Sequence, residues 1–255
     1  MLESIILGIV QGITEFFPIS STAHLVVLPW FMGWGGDLNT LTFDVALHGG
    51  TLVSLLICFR DDIRAMLGRK RRTLLLIAVG ILPAGAAGVY LHDQVEGALR
   101  SPLIIAAMLV AFGLVMYASE RFGKSRKIES LSVLDALFIG AAQALALVPG
   151  VSRSGATISA GLLRGMKRTE ALRFSFLLSI PVIGGATLLE GVKLLKAPGD
   201  YDLRLFGLGF AVSMFSGILA IKFLLKYLQR HTLNVFVYYR FALAGVIAGW
   251  LWLGG

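Results

Sequence analysis

Pro149-Gly150-Val151-Ser152-Arg153-Ser154-Gly155-Ala156-Thr157 is the stretch on which the reading of this chain turns. Its surroundings are apolar. Upstream, Ala141 to Val148 carries one polar side chain, Gln143; downstream, Ile158 to Leu163 carries one, Ser159. Arg153 is therefore expected at membrane depth, where a guanidinium is costly and marks a functional position by default. Pro149 and Gly150 stop a helix arriving from the N-terminal side. Ser152 or Ser154 can cap a new helix that starts near Gly155. A broken helix with an Arg at the break and free N–H groups beside it is suited to an anion. The other reading is an Arg that holds two helices together by a salt bridge.

Composition widens this to the whole molecule. The 255 residues are 56% hydrophobic and only 15% charged, with mean hydropathy +0.81. Soluble domains have about 25% charged residues, so the chain is read as a polytopic membrane protein. The formal charge of +8 does not point to nucleic acid, because the basic residues gather at membrane boundaries. The one cysteine, Cys58, lies in an apolar run and supports neither a disulfide nor a metal cluster. No Lys or Arg precedes Arg60, which argues against a secretory signal peptide. No low-complexity linker divides the chain, so 1–255 is read as one membrane domain.

Residues 5–33 are apolar but broken. Ile5 to Val10 leads to Gln11, Thr14 and Glu15, then Phe16-Phe17-Pro18, and a second run covers Leu25 to Met32. Neither half has the roughly 20 apolar residues a span needs. Two short helices around a Pro-Ile-Ser-Ser-Thr turn predict a re-entrant hairpin, tolerated at depth only when buried or lining a wet cavity. Spans are expected at Phe43–Phe59, Leu74–Leu91 and Pro102–Ala118. Gly80, Ala84 and Gly88 form a small-residue stripe for close packing on the second. Residues 134–166 repeat the hairpin, and spans follow at Ala171–Leu195, Leu205–Leu225 and Val235–Leu253.

The two halves are copies. Gly8 and Gln11 recur as Gly140 and Gln143, 132 residues on. Pro18-x-Ser20-Ser21-Thr22 resembles Pro149-Gly-x-Ser152-Arg153-Ser154, and Gly49-Gly50-Thr51-Leu52 resembles Gly184-Gly185-Ala186-Thr187-Leu188. The expected fold is all-α, with six full spans and two re-entrant hairpins in inverted repeats at about 1–118 and 134–254. Three spans per copy turn the second upside down, and such repeats put their site at the midplane.

Basic residues orient the molecule. Eighteen flank the loops after Phe59, after Ala118, after the second hairpin and around the last loop, Arg240 among them; Arg100, Lys193, Lys196 and Arg204 take the other side. The richer side is expected to be cytoplasmic. Both termini then lie outside, and the two hairpin tips meet near the bilayer centre.

Chemistry concentrates at those tips. Gln11 and Glu15 are i, i+4 and share a face. Ser20 and Ser21 follow the break, and His24 stands one turn on, on the Ser20/Ser21 side. Arg153 arrives from the second tip and suits bidentate phosphate binding. Glu15 can hold a hard divalent cation, with Gln11 lending a carbonyl oxygen. His24 can exchange protons near neutrality. Glu15 can also pair simply with Arg153, the serines can be plain caps, and Gln143 can bond a backbone carbonyl. Asp44, His48 and Glu190 are read as helix-end or packing polar residues.

Gln11-Gly-Ile-Thr-Glu15-Phe-Phe-Pro-Ile-Ser-Ser-Thr-Ala-His24 resembles the first signature of the undecaprenyl-diphosphatase, or bacitracin-resistance, family. Pro149-Gly-Val-Ser-Arg153-Ser-Gly-Ala-Thr157 resembles the second, and the likeness extends through Phe174 to Pro181. Gln11 stands where many relatives carry Glu. The resemblance implies hydrolysis of a long-chain prenyl diphosphate to its monophosphate, recycling a cell-wall lipid carrier. It implies dependence on a divalent cation, Mg or Ca, held by Glu15 and Gln11, and a site facing the periplasm of a bacterial inner membrane. Carried over by residue, Glu15, Ser21, His24 and Arg153 are the catalytic set, with Ser21 or His24 as nucleophile. Gln11, Ser20, Thr22, Ser152, Ser154, Gly155 and Thr157 bind substrate. Expected partners are the prenyl lipid, the bilayer and a second copy in a homodimer, without nucleic acid. The rival function is a transporter or flippase of a phosphorylated lipid, which shares the inverted-repeat architecture.

Overall fold

The computed structural model describes residues 1–35, 40–90, 99, 101–122, 124–196 and 202–253. Arg100, Leu91 and Gln94 lie outside them, as do the side chains of Glu190, Lys193 and Lys196. Among the described residues the only β feature is an isolated bridge between Arg126 and Met166.

Four helices are too short to cross a bilayer. They are α1 (Leu2–Thr14, 13 residues), α2 (Ser21–Met32, 12 residues), α8 (Val133–Leu145, 13 residues) and α9 (Arg153–Leu163, 11 residues). Each pair forms a hairpin, and both hairpins turn in the same unusual way. Among the described residues, Ser20 (φ 74°) and Ser152 (φ 70°) are the non-glycine residues with left-handed backbone. A side chain disfavours that region, but each serine caps the next helix. Ser20 Oγ accepts from Ala23 N–H at 3.4 Å, and Ser152 Oγ accepts from Gly155 N–H at 3.2 Å. Helix α9 therefore begins at Arg153, two residues before the expected start at Gly155. The two caps are 132 residues apart, like the glycines and glutamines of the repeat.

The remaining long elements are α3 (Leu41–Cys58), α5 (Arg71–Gly80) continuing into α6 (Leu82–Tyr90), α7 (Pro102–Ser119), α10 (Arg168–Lys196), α11 (Leu203–Tyr227) and α12 (Asn234–Trp252). Five are long and apolar enough to cross a membrane. A sixth appears if α3 is counted with α4 (Arg60–Leu67), which bends from it by 68°. Helices stand at all six expected spans, within a few residues of the predicted limits that fall on described residues. Helix α4 stands where sequence suggested only a basic loop. Its Asp62 pairs with Arg173 at 2.8 Å, anchoring α4 to α10.

Close packing interlocks the halves. Helix α1 lies against α11, where a Cβ on Gly12 would sit 1.9 Å from Ser216 Oγ. Helix α8 lies against the α5–α6 span, where a Cβ on Gly140 would sit 2.1 Å from the Gly80 carbonyl oxygen. Each hairpin's first limb thus packs on the middle span of the other half. Of the expected stripe, Gly80 and Ala84 are buried, whereas no described atom lies within 4 Å of a Cβ placed on Gly88. Beneath the first tip, Phe16 meets Phe176 edge-on at 5.3 Å, and Phe59 meets the same ring at 5.9 Å. This aromatic cluster gives the tip a rigid floor.

Candidate active site at the meeting of the hairpin tips

Glu15 ends α1 and Arg153 begins α9. Their side chains form an ion pair between Glu15 Oε1 and Arg153 Nη2. Both are largely buried, at 6% and 14% side-chain exposure, so each offsets the other's desolvation. The second carboxylate oxygen, Oε2, accepts from Ser21 Oγ at 2.7 Å and from Gln11 Nε2 at 3.1 Å. His48 Nε2 approaches it to 3.4 Å. Ser154 Oγ donates to the Phe17 carbonyl at 3.2 Å, a second link between the tips.

A cavity of about 240 Å³ opens here. Six of the expected site residues line it: Glu15, Ser20, Ser21, Thr22, Ser152 and Arg153. Apolar side chains line it too, among them Val45, Ala84, Leu147, Val182 and Ile183. The N-termini of α2 and α9 both begin at this cavity and add partial positive charge. Arg153 Nη1 is buried without a partner.

The other expected residues lie around it. Gln11 is fully buried behind Glu15. Gly155 supplies the capped N–H. Thr157 Oγ1 donates to the Arg153 carbonyl at 2.8 Å and lies 2.6 Å from Ser175 Oγ, so it holds α9 against α10. His24 does not join the set. Its Nδ1 meets the Ser20 carbonyl at 2.7 Å and its Nε2 meets Tyr239 Oη at 2.7 Å. The ring lines a separate apolar groove with Ile13, Phe17 and Tyr239.

Three placements correct the sequence reading. His48, taken as a packing residue, lines the cavity and faces Glu15. Gln143, for which a bond to a backbone carbonyl was one alternative, has no partner for either amide atom. Arg240, counted at a cytoplasmic loop, is fully buried. It donates to the carbonyls of Pro18 at the first tip (3.3 Å) and of Gly150 and Val151 at the second (2.8 and 3.1 Å). It also reaches Leu109 and Met108 of α7 at 3.1 and 3.3 Å. It straps both breaks to one helix. The run Tyr238-Tyr239-Arg240-Phe241 had carried a signal, a cation several residues inside an apolar segment.

A hard divalent cation takes oxygen ligands and often completes its shell with substrate phosphates. Among the described residues no group of three His, Cys, Asp or Glu gathers. The donors at hand are the Glu15 carboxylate, Ser21 Oγ and Gln11 Oε1, which is buried and unpartnered. That set fits a cation that shares its shell with a phosphate-bearing substrate.

Fold and site together define a polytopic membrane protein with two short hairpins and a charged, hydroxyl-rich centre where they meet. The family of bacitracin resistance protein BacA matches residues 4–246, and the chain belongs to it. The undecaprenyl-diphosphatase of Thermodesulfovibrio yellowstonii is 53% identical, over 97% of this chain and 96% of its own. Those of Rubrobacter xylanophilus and Moorella thermoacetica are each 44% identical, over 99% of this chain and 99% and 98% of their own.

Proposed function

We propose that the chain is a membrane phosphatase that hydrolyses undecaprenyl diphosphate to the monophosphate and inorganic phosphate, recycling a cell-wall lipid carrier and conferring bacitracin resistance. The observation that carries this is the Ser21–Glu15–Arg153 arrangement on a cavity lined by both polar and apolar side chains. Such a cavity matches a lipid with a diphosphate head.

Ser21 Oγ is the nucleophile, because its hydroxyl already donates to a carboxylate that can accept its proton. As Oγ bonds the outer phosphorus, the bridging P–O bond breaks and the prenyl monophosphate leaves. Water then attacks the phosphoseryl phosphorus, Glu15 returns its proton to Ser21 Oγ, and inorganic phosphate departs. Arg153 clamps the diphosphate with its unpartnered Nη1, and the two helix N-termini stabilise the same charge. His24 acts by position, holding the Ser20 carbonyl at the strained turn. A divalent cation, Mg or Ca, held by Glu15 and Gln11, would neutralise phosphate charge when bound. The protein sits in the inner membrane with its basic loops in the cytoplasm and the site open to the periplasm; removing Arg240 from the loop count leaves that bias intact.

The test is phosphate release from undecaprenyl diphosphate by the purified, detergent-solubilised protein. Release confirms the phosphatase. Binding without release would make it a carrier of phosphorylated lipid, the function that interlocked repeats also serve.

A further inference from the structure

Gln143 lies in the last turn of α8 and lines the same cavity as Arg153. It is 2% exposed, yet neither Oε1 nor Nε2 has a hydrogen-bond partner. A buried amide without partners is costly and is retained where something else satisfies it.

Its repeat mate shows what is missing. Gln11 holds the equivalent place on α1 and donates Nε2 to Glu15 Oε2, four residues on. Four residues beyond Gln143 stands Leu147, an apolar side chain on the wall of the same cavity. The second hairpin thus keeps the amide and lacks its internal acceptor. Arg153 Nη1, from the same hairpin, and Thr187 Oγ1 are further unpartnered donors on residues that line this cavity. An unpaired amide N–H and an unpaired guanidinium N–H on residues of one cavity suit an anion with several oxygens.

We propose that Gln143 is a substrate-binding residue whose amide donates to a diphosphate oxygen, beside Arg153. This rests on the cavity being the diphosphate site. The repeat has diverged so that one glutamine serves the catalytic carboxylate and the other serves the substrate. Leu147 then has a reason too, since a carboxylate at that place would capture the amide and repel the ligand.

The experiment compares wild type with Gln143→Met, a side chain of similar size without polar groups beyond a thioether. KM for undecaprenyl diphosphate is expected to rise roughly tenfold or more, with kcat nearly unchanged, as for loss of uniform binding to a charged group. The melting temperature without ligand should stay or rise, because an unsatisfied buried amide has gone. The stabilisation of wild type by inorganic pyrophosphate should largely vanish. Should the Met variant fail to accumulate, Gln143→Asn, whose amide is drawn back by one carbon, carries the same readouts. A wild-type KM and an intact pyrophosphate shift would overturn the proposal, as would a lower melting temperature with unchanged KM. If wild type releases no phosphate yet shows a pyrophosphate shift that Gln143→Met loses, the phosphatase reading fails and this anion contact stands.

Discussion

Arg153 and Glu15, 138 residues apart, join the second hairpin to the first through one ion pair at the cavity. The pair answers both readings of Arg153 at once. It is a buried structural bridge, and it leaves the second guanidinium terminus, Nη1, unpaired.

Arg153→Lys separates those roles. Lysine keeps the charge that Glu15 needs but loses the planar fork. The variant is expected to accumulate in the membrane with near-wild-type melting temperature in detergent. Its turnover of prenyl diphosphate should fall by roughly two orders of magnitude or more, the scale for removing an oriented charge-stabilising donor. Early melting with full specific activity would return Arg153 to a structural role.

Glu15→Gln removes the partner instead. It leaves a buried guanidinium uncompensated, at a cost of about 3–5 kcal/mol, and removes the acceptor of the Ser21 proton. Both stability and turnover are expected to drop. Chelation of divalent cations should lower turnover of wild type strongly without the same loss of stability. Gln11→Glu should stay active, since it adds an oxygen ligand beside Glu15. Full activity in excess chelator would remove the cation from the reaction.

Ser21 and His24 sit three residues apart but face different spaces. Ser21→Ala should abolish phosphate release while pyrophosphate still raises the melting temperature. Tyr239→Phe removes only the outer hydrogen bond of His24 and should keep kcat within about threefold. A severe loss in Tyr239→Phe would mean that the His24–Tyr239 pair takes part in proton transfer.

Glu120, just beyond the end of α7, predicts how stability depends on acid. Burial opposes its charge, yet Arg168, the Leu233 N–H and Lys124 hold its carboxyl below the usual glutamate range. A depressed folded value means that the stabilisation is present above the unfolded value, about 4.3, and is lost as pH falls through the folded one. The melting temperature should therefore decline below about pH 4.3. Glu120→Gln should melt lower than wild type at pH 7 and show a shallower acid decline. An unchanged acid decline in that variant would assign it to other carboxylates.

Reporter fusions check the orientation. Fusions at Arg71 and Ser125 should score cytoplasmic, and one at Gln94 periplasmic. A periplasmic signal near Arg71 would reverse the direction of both hairpins.

What the amino-acid order determined by itself is everything that local chemistry writes. Apolar run lengths marked the spans, and Pro18, Pro149 and the serine caps marked the breaks. The recurrence of Gly8 and Gln11 at Gly140 and Gln143 marked the repeat, and Glu15, Ser21 and Arg153 were legible as polar residues at the two breaks. Only the tertiary structure decided which way side chains turn and whom they meet. His48 reaches Glu15 because α3 packs beside the first tip, and nothing near His48 in sequence encodes that rotation. His24 turns away because the tip is a wall between two spaces, with Tyr239 of α12 on its far side. Arg240 looked like a loop cation until five backbone carbonyls from three segments were seen around it. A helix specifies its own period and ends through contacts within a few residues, but its rotation against neighbours depends on packing across the whole chain.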